Sequence, residues 1–190
     1  MFFKVENGRE FSAFKGNGKY YHVHNAVYPT MLRNNFPDNL ISNFYRVAIV
    51  RDPILRFLSA FGNRVVAHQE LSEAKIGHKL KGLGLAPDPD LETFIDQLEG
   101  YSEASASIKH HTRPLVDFLG QDPAYFSRVY RMDELETFMA DMNSRMGTDL
   151  ARGKNQTGGP KISPAALNTS QERRLKLFYR DDFDRFGGYF

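Results

Sequence analysis

With 190 residues the chain suits one domain of ordinary size and is short for two, and a single domain over 1–190 is the expectation. A hydrophobic share of 41%, with sixteen Phe and nine Tyr, excludes wholesale disorder, and no apolar run approaches the ~18 residues of a membrane-spanning helix. The absence of cysteine removes disulfide frameworks, thiolate zinc sites and cysteine nucleophiles; with no secretory signal over residues 1–10, the cytoplasm is expected. The net charge of +2 conceals an asymmetry: residues 1–85 carry twelve Lys or Arg against six acids, residues 86–190 thirteen against seventeen. A basic first half suits an anionic ligand (a nucleotide, a sulfated sugar or a nucleic acid), or is an unevenly charged solvated surface.

Residues 1–25 are aromatic and broken by Gly8, Gly16 and Gly18, which predicts short strands joined by tight turns, one of them over Lys19–His24. A loop is expected over 34–39. The run Phe44–Val50 reads as a strand buried on both faces of a parallel sheet. Arg51 ends it, Asp52 caps a helix, and Pro53 suits the first turn. Ile54, Leu58, Phe61 and Val65 then share one helical side, with Asp52, Arg56, Ser59 and Asn63 opposite. Residues 69–90, rich in Gly and Pro, are expected to form a loop, and Asp90 to cap the helix carrying Leu91, Phe94, Ile95 and Leu98. Beyond it the pattern predicts a short helix from Pro114, a strand over 126–130 and a helix over 133–146 closed by Gly147. A basic, glycine-rich loop follows over 151–164, then a final helix with Thr169 and Glu172 as its capping box.

In an open parallel sheet, ligands bind beyond the carboxyl ends of the strands. Arg51 stands at such an end, and Arg56 and Ser59 lie on the polar face of the next helix. A guanidinium fork, a hydroxyl and helix amino-terminal N–H groups together suit a phosphate. The same residues equally describe a simple turn with a solvated helix face. His22 and His24 alternate along a strand, which points both imidazoles to one side. An imidazole of pKa ~6.5 suits removal of a hydroxyl proton, though two histidines can also merely decorate a strand. A zinc site needs a further ligand, and none stands nearby, so no metal is expected. Lys154, Asn155 and Thr157 lie among glycines that permit close backbone approach to a nucleotide, or form a connector.

The spelling Arg51-Asp52-Pro53-x-x-Arg56-x-x-Ser59-x-Phe61, after an apolar strand, resembles the 3′-phosphate-binding element of sulfotransferases that use 3′-phosphoadenosine 5′-phosphosulfate (PAPS). It is most similar to the carbohydrate branch, which includes the heparan and uronyl 2-O-sulfotransferases. Lys109-His110-His111 through Phe118, then Tyr125–Leu135, is similar to the family's H-x-x-P…Y-x-x-V-x-x-x-E-x-L stretch, with Asp133 where an acid is usual. Phe178–Phe183, then Phe186-Gly187, resembles its Y-x-x-D-F-x-x-F-G-Y close. The likeness covers about residues 20–190.

The resemblance implies an α/β fold, a short parallel sheet flanked by helices of the P-loop-NTPase-like sulfotransferase type. It implies sulfuryl transfer from PAPS to a hydroxyl of a carbohydrate or small metabolite, without metal and without a nucleic-acid partner. Arg51 and Ser59 match the positions that grip the 3′-phosphate and Arg56 matches a further family position; Lys154 is a candidate nucleotide contact from the composition of its loop alone. His24 matches the proposed base and His22 its helper, while Lys15 and Lys19 are remote choices for neutralising charge. One departure stands out: no P-K-x-G-x-T loop, the family's 5′-phosphosulfate cradle, precedes His22. Lys15–Lys19 reads instead as a glycine turn between strands. The expectation is therefore an amino-terminally shortened member, with a catalytically inactive nucleotide- or polyanion-binding domain as the alternative. The acidic second half argues against a nucleic-acid binder.

Overall fold

Asn17 and Gly18 both sit at positive φ (49° and 74°), the pair of left-handed residues that a type I′ hairpin turn requires. They join Phe14–Gly16 (β1) to Lys19–Tyr21 (β2) in antiparallel register, Phe14 opposite Tyr21. The glycine turn is thus as expected. The second strand is not: it ends at Tyr21, and Val23–Ala26 (α1) begins with His22 as its amino-terminal cap. Where a loop was expected over 34–39, a 3₁₀ turn at Arg33–Asn35 and a short helix, Asp38–Ile41 (α2), take its place. The computed structural model describes residues 6–28, 30–151 and 158–190. They form two units, one from the residues before Tyr45 together with 133–151, the other from Tyr45–Met132 and 158–190.

In the second unit Val47–Val50 (β3) pairs in parallel with Arg128–Arg131 (β4), Val47 opposite Arg128 and Val50 opposite Arg131. The strand is shorter than the apolar run, and it is not buried on both faces. Ala48 and Val50 are buried, whereas Ile49 between them stays 38% exposed, because only the face with Ala48 and Val50 is covered. Asp52 Oδ1 accepts the Leu55 N–H (2.9 Å) and Pro53 fills the first position, opening Pro53–Ala60 (α3) as expected. The chain continues as a π-helix over Phe61–Ala67, and Ile54, Leu58, Phe61 and Val65 are all buried.

The expected loop over 69–90 instead contains Glu73–Gly82 (α4), kinked at Ile76. Gly77 and Gly82 suggest a loop locally, but Leu71 and Leu80 are wholly buried, and this packing holds the segment. Asp90 Oδ1 accepts the Thr93 N–H (2.8 Å) to cap Leu91–Asp96 (α5). Leu98–Ala104 (α6), Ala106–Thr112 (α7) and Val116–Leu119 (α8) follow. Leu135–Met146 (α9), in the first unit, ends at Gly147 in the left-handed region (φ 62°), as predicted. Phe138, Met139 and Met142 of that helix are buried, whereas Met146 is exposed. Thr169–Phe178 (α10) is capped by Asn168 and Gln171, whose side chains each accept the other's N–H (2.9 Å). The capping box therefore starts one residue earlier than the Thr169–Glu172 spacing suggests. Arg180–Phe186 (α11) closes the chain.

The fold class is the expected one, a short parallel sheet flanked by helices. Phe94 sits at the middle of the larger core, its ring 5.5 Å from Phe57, 5.3 Å from Phe61 and 5.6 Å from Tyr101. A smaller core of Val50, Leu115, Val116 and Phe186 covers the buried face of β3.

Two glycines let the end of the 151–164 segment lie directly on the helix that follows Ser59. A Cβ on Gly62 would stand 2.5 Å from the Pro160 carbonyl oxygen, and one on Gly159 (φ 90°) would collide with the Gly62 carbonyl. The Asn63 side-chain amide donates to the Gly158 carbonyl (3.2 Å) in the same contact. Gly159→Ala is therefore expected to cost about 1–3 kcal/mol, from left-handed strain plus the clash, and to speed amide exchange over 158–162. Thermal unfolding and hydrogen exchange check both effects.

Candidate functional site

Arg51 leaves the carboxyl end of β3 half-buried, and its guanidinium has no hydrogen-bond or ion-pair partner among the described residues. A partly buried, unpaired guanidinium retains its donor capacity for an incoming anion. Ser59 lies two turns into α3, exposed and also without a partner among the described residues. The amino terminus of α3 contributes less than a bare helix end. Pro53 has no N–H, and the Leu55 N–H is already taken by Asp52.

Arg56, on the same polar stripe, turns inward. Its guanidinium donates to the carbonyls of His111 (3.4 Å) and Arg113, lies 4.0 Å from the Asp182 carboxylate and faces the Tyr179 ring at 5.7 Å. Its Nε is buried without a partner among the described residues. Asp182 is wholly buried and accepts the N–H groups of Leu115 (2.8 Å) and Val116 (2.9 Å). Burial pushes its carboxyl above the usual range, while those two N–H groups and Arg56 pull the other way. The buried Tyr179 hydroxyl donates to the Thr112 carbonyl (2.6 Å), and burial raises its pKa as well. Three carbonyls and two N–H groups of the 111–116 turn are thus held by Arg56, Tyr179 and Asp182.

The stretch Tyr179-Arg180-Asp181-Asp182-Phe183 matches a motif in sequence, but its structural role is legible there only as an i, i+3 pair, Tyr179 and Asp182, across the junction of α10 and α11. Gly62 and Gly159 carried no signal as a contact pair, because 97 positions separate them.

His110 and His111 lie on α7. His111 is half-buried with Nδ1 2.8 Å from the Ser107 carbonyl oxygen. Burial, helped by Arg64 and His110, lowers its pKa against that carbonyl; burial, then Arg113, Arg64 and Arg56, lowers that of His110.

His22 and His24 belong to the first unit, whereas Arg51, Arg56 and Ser59 belong to the second. The two imidazoles are neighbours, with centroids 6.4 Å apart and planes 23° from parallel, although one caps a helix and the other lies within it. Both are exposed. Lys15 and Lys19 flank the hairpin turn, also exposed. Lys154 lies outside the described residues. Among the described residues no group of three His, Asp or Glu is placed to hold a metal ion, and no helix is long and apolar enough to cross a membrane.

Residues 10–189 match the family model described as the sulfotransferase family, and the chain belongs to that family. No curated protein and no solved structure matches it. The match spans both units. It identifies the protein as a transferase of sulfuryl groups, in a family that generally uses PAPS as donor and a hydroxyl-bearing acceptor.

Asp182→Asn keeps the shape but turns an amide NH₂ towards one of two buried N–H donors. It is expected to lower stability by about 2–4 kcal/mol, read by denaturant unfolding. The two depressed histidines have a different signature. Folded, they resist protonation that the unfolded chain accepts, so stability holds above the ordinary imidazole pKa of ~6.5 and falls as pH drops below it. A His110→Asn/His111→Asn variant is expected to flatten that acid limb of Tm between about pH 6.5 and 5.

Proposed function

We propose that the chain transfers the sulfuryl group of PAPS to a hydroxyl of a carbohydrate or small metabolite, with both units forming one sulfotransferase domain. The observation that carries the proposal is the pair Arg51 and Ser59, both without partners among the described residues, in a motif at the carboxyl end of β3, within a family match over residues 10–189. Arg51 supplies a charged fork and Ser59 a hydroxyl to the 3′-phosphate. Arg56 matches the same element, and its contribution is to hold α3 against the 111–116 turn so that Arg51 and Ser59 keep their places. Lys154 adds charge to the nucleotide side, and Lys15 and Lys19 remain remote sources of it.

In the transfer, the acceptor oxygen forms a bond to sulfur as the bond from sulfur to the 5′-phosphate oxygen breaks. Adenosine 3′,5′-bisphosphate leaves with the electron pair. The acceptor proton passes to His24, with His22 as its ring neighbour. Positioning and neutralisation of the leaving phosphate supply the rate, as in phosphoryl transfer. The carbohydrate branch is the proposed subgroup, and the cytoplasm the proposed compartment.

A second reading, a relative that binds the nucleotide without turnover, shares the Arg51–Ser59 pocket; residues 1–21 as given contain no P-K-x-G-x-T stretch.

Calorimetric titration with adenosine 3′,5′-bisphosphate tests the pocket. Arg51→Ala is expected to weaken binding about tenfold to hundredfold and Ser59→Ala about fivefold, with unfolding unchanged. Undiminished binding in Arg51→Ala contradicts the assignment. His24→Ala is expected to abolish sulfuryl transfer while leaving that binding intact. A parent that binds but never transfers leaves the second reading standing.

A further inference from the structure

A cleft of about 400 Å³, within the size range of small-molecule sites, opens between α6, α7 and the end of α10. Thr112 and Arg113 line it, and their carbonyls accept from Tyr179 and Arg56. The side chains facing it are mostly unspent. Arg113 pairs with Asp117 (3.4 Å), whereas Glu99, Ser102, Glu103 and Lys109 have no side-chain partner among the described residues.

Glu99 and Glu103 stand at i and i+4 on α6, where like charges repel. Lys79, the cation beside them, gives its ammonium to the carbonyls of Glu103 (3.3 Å) and Ala104 (2.5 Å), not to either carboxylate. The side chains that line the cleft sum to one net negative charge, Glu99, Glu103 and Asp117 against Lys109 and Arg113, with Lys79 outside the lining. Phe178, 36% exposed, lines the same cleft. A cation between the two glutamates relieves their repulsion, and the ring adds cation–π attraction. Ser102 and Lys109 remain as partners for hydroxyl groups.

We infer that this cleft binds a small hydroxylated organic cation. This goes beyond the sulfuryl transfer and does not depend on it.

Three probes with one scaffold and different charge test it: glucosamine, methyl glucoside and glucuronate, each titrated into the ¹⁵N-labelled full chain. Glucosamine is expected to shift the amide signals of residues 99–117 and to bind about fivefold tighter than methyl glucoside, with glucuronate weakest. Glu99→Gln/Glu103→Gln keeps the cleft's shape and is expected to bring glucosamine and methyl glucoside to parity. Phe178→Ala is expected to weaken glucosamine. No shift over 99–117 with any probe overturns the inference, as does glucuronate binding as well as glucosamine or a preference that survives the double variant. Adenosine 3′,5′-bisphosphate, titrated into the same samples, keeps failure here separate from failure of the Arg51–Ser59 pocket.

Discussion

The second unit depends on one arginine whose charge is spent inside the protein. Arg56 leaves α3 and reaches two carbonyls of the 111–116 turn, with Asp182 behind it. Both ionic groups are well shielded from water, and a buried charge is tolerable only if its donors and acceptors are satisfied. Asp182 meets this condition through two backbone N–H groups, and Arg56 through two carbonyls, with its Nε left over. Removing either partner strands the other. The geometry of α3 relative to α7, α8 and α11 is therefore tightly specified, and with it the direction in which the rest of the polar stripe points.

That specification divides the stripe by task. Arg56 faces in and Asn63 ties down Gly158, whereas Ser59 between them faces out. Arg51, at the end of β3, is likewise left without a partner among the described residues. A site for a doubly charged anion needs donors that the protein does not use itself, and the proposed function assigns that task to these two residues. The glycine contact adds backbone of the 158–160 segment one turn beyond Ser59, an approach that any side chain at 62 or 159 would block.

Features contained in a few consecutive residues were legible in the sequence: the Asp52-Pro53 helix start, the Asn17-Gly18 turn, the Asp90 cap and the Gly147 stop. Each is decided by local hydrogen bonding or a permitted φ, so nothing distant can overrule it. The helix over 73–82 was hidden because its stability comes from Leu71 and Leu80 in the core, while its glycines argue locally for a loop. The strand expected through His24 failed for a related reason: Asn25 turns back to bond the His22 N–H (2.7 Å) and starts a helix. Of the candidate site, Arg51 and Ser59 were identifiable from a motif. The inward course of Arg56 was not, since its partners lie 55 and more positions away. Nor could the sequence separate Asp181 from Asp182, of which one is exposed and the other wholly buried.

The most direct measurement is a crystal structure of the chain with adenosine 3′,5′-bisphosphate. The 3′-phosphate should lie within hydrogen-bonding distance of both the Arg51 guanidinium and the Ser59 hydroxyl, with Arg56 still turned towards His111 and Arg113. A nucleotide seated elsewhere, or an Arg56 that swings out to take the phosphate while Arg51 points away, contradicts the division of labour on which the assignment rests.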